Sequence, residues 1–160
     1  MKKLLIILSI LFCTTTAGYT AEKNIFPDLK LQTLNNKKIN LSSLINKQDL
    51  ILLNFFTTWC GYCQQEIPDF IKLTKTYNPK KIIIIGIDYN EDLALVKKMV
   101  DEAKINYPVC QVTEGELIDK FTLSGFPTTI IINRKREIID KIIGYRDYNF
   151  YKKYFNSASK

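Results

Sequence analysis

Two cysteines two residues apart, Cys60-Gly61-Tyr62-Cys63, are the side chains of this sequence best placed to do chemistry. If the segment opens a helix, the first thiol sits where unpaired N–H groups and the positive end of the helix dipole stabilise a thiolate. The thiolate is the form that attacks a disulfide. The second thiol, one turn on, can then attack the mixed disulfide and release the product. Half a zinc site and a structural bridge are the competing readings. Zinc takes four ligands, whereas the chain has no histidine, a single Cys110, and Cys13 inside an N-terminal leader. A bridge across so short a loop stabilises little. The context favours redox exchange. The lack of histidine also excludes Ser-His-Asp and Cys-His nucleophiles and His-ligated haem.

The flanking periodicities supply the elements such a pair needs. Leu50 to Phe56, apolar apart from Asn54, reads as a strand buried on both faces, ending just before the motif. Cys63 to Tyr77 places Ile67, Phe70, Ile71 and Leu73 near helical spacing, with a kink expected at Pro68. Lys30 to Leu34 and Lys37 to Asn40 flank Asn35-Asn36 as a hairpin. Leu41 to Ile45 is a helical turn capped by Asn40 or Ser42. Further on come a strand over Lys81 to Ile87, an amphipathic helix over Glu91 to Lys104, a strand over Tyr107 to Val112 and a short helix over Glu116 to Leu123. Strands over Thr128 to Asn133 and Glu137 to Gly144 and a helix over Tyr148 to Phe155 complete the chain. Strands separated by helices imply parallel pairing, and the late hairpin adds antiparallel strands. The expectation is an α/β fold: a mixed central sheet, helices on both faces and an N-terminal β-hairpin extension.

The N-terminus has its own pattern. Met1-Lys2-Lys3, an apolar run from Leu4 to Phe12 broken only by Ser9, and the small, polar stretch Cys13 to Ala17 form the three-part layout of a secretory signal peptide. Cleavage is expected after Ala17, with Ala21 as the alternative, leaving a domain over residues 22–160. The apolar run falls short of the ~20 residues a spanning helix needs. An uncleaved anchor and a lipoprotein modified at Cys13 remain the other readings. An oxidising destination, the periplasm or the outer face of the cytoplasmic membrane, would suit a redox pair. The 160 residues make one domain, with 46% hydrophobic and 24% charged residues. The formal charge of +7 is spread over scattered lysines rather than a stripe, as on a solvated surface, and no nucleic-acid partner is expected.

Four segments resemble one family. Phe26-Pro27-Asp28-Leu29 stands before the hairpin, Asn54-Phe55-Phe56-Thr57-Thr58-Trp59-Cys60 joins strand to motif, Glu66 and Pro68 follow the second cysteine, and Gly125-Phe126-Pro127-Thr128-Thr129 looks like a cis-proline loop. Together they resemble the thioredoxin superfamily and, within it, the TlpA/ResA-like exported thiol–disulfide oxidoreductases. The resemblance implies Cys60 and Cys63 as the redox disulfide, and a cis Pro127 that sets Phe126 beside the sulfurs to pair with an extended substrate. It gives Trp59, Gly61 and Tyr62 the substrate-facing rim. Ordinary thioredoxins carry a buried Asp where this chain has Asn54; Glu66 is then the proton shuttle for Cys63, the alternative being a surface glutamate.

Gly61-Tyr62 matches the dipeptide of DsbC-type isomerases. Tyr62 adds no positive charge to a Cys60 thiolate, which favours a reducing couple, about −200 to −270 mV. The implied activity is a protein-disulfide reductase acting as a monomer, with no cofactor and no metal. Its partners would be protein thiols and disulfides, among them apocytochrome c in cytochrome c maturation, and a membrane thiol reductase as electron donor. The alternatives are a disulfide oxidase or isomerase and a thiol-based metal chaperone. A peroxiredoxin fits poorly, since Leu53 stands where that motif has Pro. Cys110 reads as a small buried hydrophobe, a resolving role being the alternative.

Overall fold

The computed structural model describes residues 24–45, 48–78, 81–89, 91–112 and 123–158. The leader lies outside the described residues, as does most of the helix expected over Glu116 to Leu123.

Seven strands form one sheet in the order β2-β1-β5-β4-β3-β6-β7. They are β1 (Lys30–Thr33), β2 (Lys38–Asn40), β3 (Leu50–Phe56), β4 (Ile82–Asp88), β5 (Val109–Val112), β6 (Thr128–Asn133) and β7 (Ile138–Ile143). β3, β4 and β5 run parallel, while β6, β7, β1 and β2 join antiparallel. The helices are α1 (Gly61–Thr76), α2 (Leu93–Glu102) and α3 (Tyr148–Ala158), with a 3-10 helix at Leu41–Ser43. None of the described helices is long and apolar enough to cross a membrane.

The apolar run of β3 is explained by its place at the middle of the sheet, covered on both faces. Ile51, Leu53 and Phe55 enter one core with Ile85, Ile87, Ile130 and Ile132. Leu50, Leu52 and Phe56 enter the other with Ile84, Ile131, Phe70 of α1, Val96 of α2, and Tyr151 and Phe155 of α3. Alternate residues of one strand thus serve opposite faces. The first core is closed by the N-terminal segment and the 3-10 helix through Phe26, Leu29, Leu41 and Ile45, and by Leu123.

Local chemistry sets several boundaries. Asn36 turns the β1–β2 hairpin with φ 64°, a left-handed conformation that Asn tolerates. The 3-10 helix is not capped by a side chain at Asn40. Instead Asp28 accepts from both the N–H and the hydroxyl of Ser42, each at 2.8 Å, which fastens the Phe26-Pro27-Asp28-Leu29 segment to the hairpin's exit. α1 begins at Gly61, earlier than the periodicity indicates, because Cys60 is its N-cap. It runs on through Pro68, whose missing N–H removes one rung of its ladder. β4 extends one residue past its isoleucines to Asp88, which lies beside Phe56 in register.

Candidate active site

β3 delivers the chain to the site. After Phe56 come the buried Thr57, then Thr58, Trp59 and Cys60. Cys60 has extended backbone (φ −81°, ψ 109°), and its Sγ accepts from the Cys63 N–H at 3.1 Å. Cys60 and Cys63 form a disulfide with their Cα atoms 5.2 Å apart. The N-cap position puts the outer sulfur among the unpaired N–H groups of α1, where negative charge is stabilised. Cys63 sits deeper, at 3% exposure against 7% for Cys60. A Cβ on Gly61 would meet nothing within 4 Å, so packing does not demand glycine there.

Large aromatics surround the sulfurs. Trp59 is 73% exposed and Tyr62 65%, values that a packing role does not explain. The Phe126–Pro127 peptide bond is cis. Phe126 meets Trp59 edge to face at 6.4 Å and Tyr89, just beyond β4, at 5.9 Å. It also packs against the core that holds both cysteines. The Pro127 carbonyl accepts from Gly144 N–H at 2.8 Å, and the Thr128 hydroxyl donates to Gly125 O at 2.7 Å, so the loop is tied at both ends.

One turn beyond Cys63, Glu66 is 1% exposed. Its Oε2 accepts from Asn54 Nδ2 at 2.9 Å, and its Oε1 from the Tyr151 hydroxyl at 2.9 Å and the Arg146 N–H at 3.3 Å. Asn54 and Tyr151 both also reach the Thr129 hydroxyl, at 3.1 and 3.2 Å. Burial pushes the Glu66 carboxyl up to about 7, although all three donors pull it down and Asp69 adds to the rise. Desolvation therefore outweighs the hydrogen bonds by about 3 kcal/mol. The same burial, with the nearby Glu66 charge, pushes the Tyr151 phenol up. Asn54 cannot move a proton, but its amide orients the Glu66 carboxyl.

Sequence periodicity did not reveal the acidic pair Asp88 and Glu91. Asp88, wholly buried at the end of β4, accepts through Oδ2 from the Glu91 N–H at 3.1 Å and Gln111 Nε2 at 3.0 Å. Glu91 accepts from the Thr58 N–H at 2.5 Å and the Thr58 hydroxyl at 2.7 Å. Gln64 of α1 donates to the Thr58 carbonyl at 2.8 Å. Burial pushes Asp88 up to about 7, and the adjoining Glu91 adds to the rise. Burial works to raise Glu91 as well, but its bonds to Asp88 and Thr58 outweigh that and hold it low. The available signal was a lone Asp closing an isoleucine-rich strand beside the strand that feeds the motif. Cys110 lies apart, free and buried on β5, its thiol pushed up to about 11 by burial. Such a thiol is inert at neutral pH. Among the described residues, no group of three or more His, Cys, Asp or Glu side chains is placed to hold a metal ion.

The chain matches the family model described as the AhpC/TSA family over residues 23–141. It is 27% identical over 162 residues to the thiol-disulfide oxidoreductase ResA of Bacillus subtilis, covering 94% of this chain and 88% of that protein. It is 32% identical to the ResA of Halalkalibacterium halodurans, over 82% of this chain and 81% of that one. Among solved structures, a thiol:disulfide interchange protein of the thioredoxin family from Chlorobium tepidum superposes with a TM-score of 0.72 at 30% identity, over 86% of this chain and 97% of that chain. A disulfide at the head of α1, fed by a central strand and faced by a cis-proline loop, fits these relatives, and the chain belongs to the AhpC/TSA family of thioredoxin-fold proteins as a thiol–disulfide oxidoreductase of the ResA type.

Proposed function

We propose that this oxidoreductase works outside the cytoplasm as a reductase of protein disulfides, with the oxidised form of apocytochrome c among its substrates during cytochrome c maturation. The observation that carries the reading is the disulfide seated at the α1 N-terminus, its outer sulfur rimmed by exposed aromatics and its inner sulfur one turn from a buried carboxyl. The secretory layout of residues 1–17 and the likeness to ResA proteins support export.

In the reduced protein the Cys60 thiolate attacks one sulfur of the substrate disulfide. The substrate's S–S bond breaks, and its other sulfur leaves as a thiolate that takes up a proton. Cys63 then loses its proton to the Glu66 carboxylate and attacks Cys60 Sγ. The Cys60–Cys63 bond forms as the second substrate sulfur leaves. The substrate has gained two electrons and two protons, and a membrane thiol reductase restores the pair. Trp59, Tyr62, Phe126 and Pro127 hold the substrate segment against Cys60. Gly61 adds no side chain to this rim, where a Cβ would meet nothing within 4 Å.

The test is electron transfer from the reduced protein to an oxidised Cys-x-x-Cys-His peptide, the haem-attachment sequence of c-type cytochromes. The proposal predicts stoichiometric reduction, lost in Cys60→Ser. It also predicts a trapped peptide–Cys60 mixed disulfide in Cys63→Ser. A peptide that stays oxidised beside a fully reduced protein contradicts it.

A further inference from the structure

The proton on Glu66 has a place in the exchange reaction; the acidic pair at the end of β4 has none. Glu91 grips Thr58, two residues before Cys60, by both of its backbone-side donors, N–H and hydroxyl. Behind it, Asp88 is 0% exposed, and among the described residues its Oδ1 has no hydrogen-bond partner. A buried carboxylate oxygen with no donor is costly, whereas a carboxyl that carries the proton itself can donate it. Held between the two carboxyls, that proton would link Asp88 to Glu91 and, through Glu91, to Thr58. On the other side, Gln64 holds the Thr58 carbonyl.

We propose that Glu91, backed by Asp88, is a positioning device for the nucleophile, holding the Thr58–Cys60 loop at the head of α1 only while the two carboxyls share one proton. When the proton leaves to solvent, the buried Asp88 and the half-buried Glu91 both carry negative charge. Glu91 is then driven away from Asp88, and its hold on Thr58 weakens. The groups placed against Asp88 are Phe56, its register partner on β3, Gln111 of β5 and Glu91. Of these, Glu91 is the one that ionises. Asp92 is engaged elsewhere, capping α2 through the Ala94 N–H. The rise of Asp88 to about 7 places the exchange of that proton near neutrality.

The chain has one tryptophan, Trp59, and it follows Thr58 directly, so its fluorescence reports the loop. The experiment follows Trp59 emission of the full oxidised protein from about pH 5 to about pH 9, where tyrosines stay protonated. The wild type should show one transition near neutrality. Asp88→Asn should abolish it, and Glu66→Gln should keep it. Glu91→Gln should also abolish it, because no second carboxylate is left for Asp88 to repel. An amide also offers one acceptor where the carboxylate offers two. Cys60 alkylation in reduced Glu91→Gln should therefore change about fivefold at low pH, the worth of one ordinary hydrogen bond.

A transition that survives Asp88→Asn, one that vanishes in Glu66→Gln, or Cys60 alkylation identical in Glu91→Gln and wild type would overturn the proposal. Should Asp88→Asn fail to fold, Glu91→Gln decides, and a transition that survives in it overturns the proposal. The inference rests on Cys60 as the attacking sulfur. Neither readout involves a substrate protein or the direction of electron flow, so its failure is distinct from failure of the reductase reading.

Discussion

The side chains of the site divide into those that act and those that aim. Cys60 and Cys63 were legible from spacing alone, since a two-residue gap at a strand-to-helix junction has a mechanism attached. Glu66 was legible only by position. What tunes it, the Tyr151 hydroxyl and the Arg146 N–H, lies 85 and 80 residues along the chain, where no local pattern can show it. In the proposed role as base for Cys63, Glu66 would act only when ionised. Resolution of the mixed disulfide should fall about tenfold per pH unit below pH ~7. Glu66→Gln should lose that limb and slow resolution about a hundredfold, read by stopped-flow on the trapped adduct. An unchanged profile would remove Glu66 from the reaction. The exposed rim predicts a different signature. Trp59→Ala should lower kcat/KM for a protein disulfide about tenfold, the worth of one aromatic contact, while reduction by dithiothreitol and the thermal midpoint stay as in the wild type.

At the scale of elements, periodicity located the strands and helices of the described residues within a residue or two, apart from the last helix, which runs three residues past Phe155 to Ala158, because buried strands and one-faced helices write their environment into their sequence. The Asn40 or Ser42 cap was beyond it. Asp28, 14 residues back from Ser42, supplies that contact, and proximity of that kind is a product of the fold. So was the run of β4 through Asp88, since a charged residue at a strand's end looks like a turn until its neighbours are known. β4 also holds a close contact beneath the site. A Cβ on Gly86 would lie 3.1 Å from Phe56, 3.2 Å from Val109 and 3.3 Å from Tyr107. Phe56 ends the strand that feeds the motif, so there is little room for it to yield. Gly86→Ala should cost about 1–3 kcal/mol, read as a lower urea midpoint at unchanged slope. A neutral effect would mean that the β4–β5 face is looser than it looks.

For the whole molecule, two buried carboxyls with raised values make stability depend on pH. An acid that titrates higher in the folded state than in the unfolded chain binds its proton more tightly when folded. Its contribution is fully present below the unfolded value and is lost as pH rises through the folded one. Glu66 and Asp88 both rise to about 7. Glu91 runs the other way but lies low. Stability should therefore decline between about pH 5 and about pH 8, by a few kcal/mol, and Glu66→Gln should flatten part of that decline. Urea midpoints that are level or rising over the range would contradict it. The same molecule must also choose a direction for its electrons, and neither Gly61 nor Tyr62 places a positive charge beside a Cys60 thiolate. The reduction potential of the Cys60–Cys63 pair, measured by equilibration with glutathione alongside a Cys60→Ser control, tests the reductase most directly. A value of about −200 to −270 mV is the predicted result; a value near that of a strong oxidant, about −120 mV, would make this protein a disulfide donor and contradict the account.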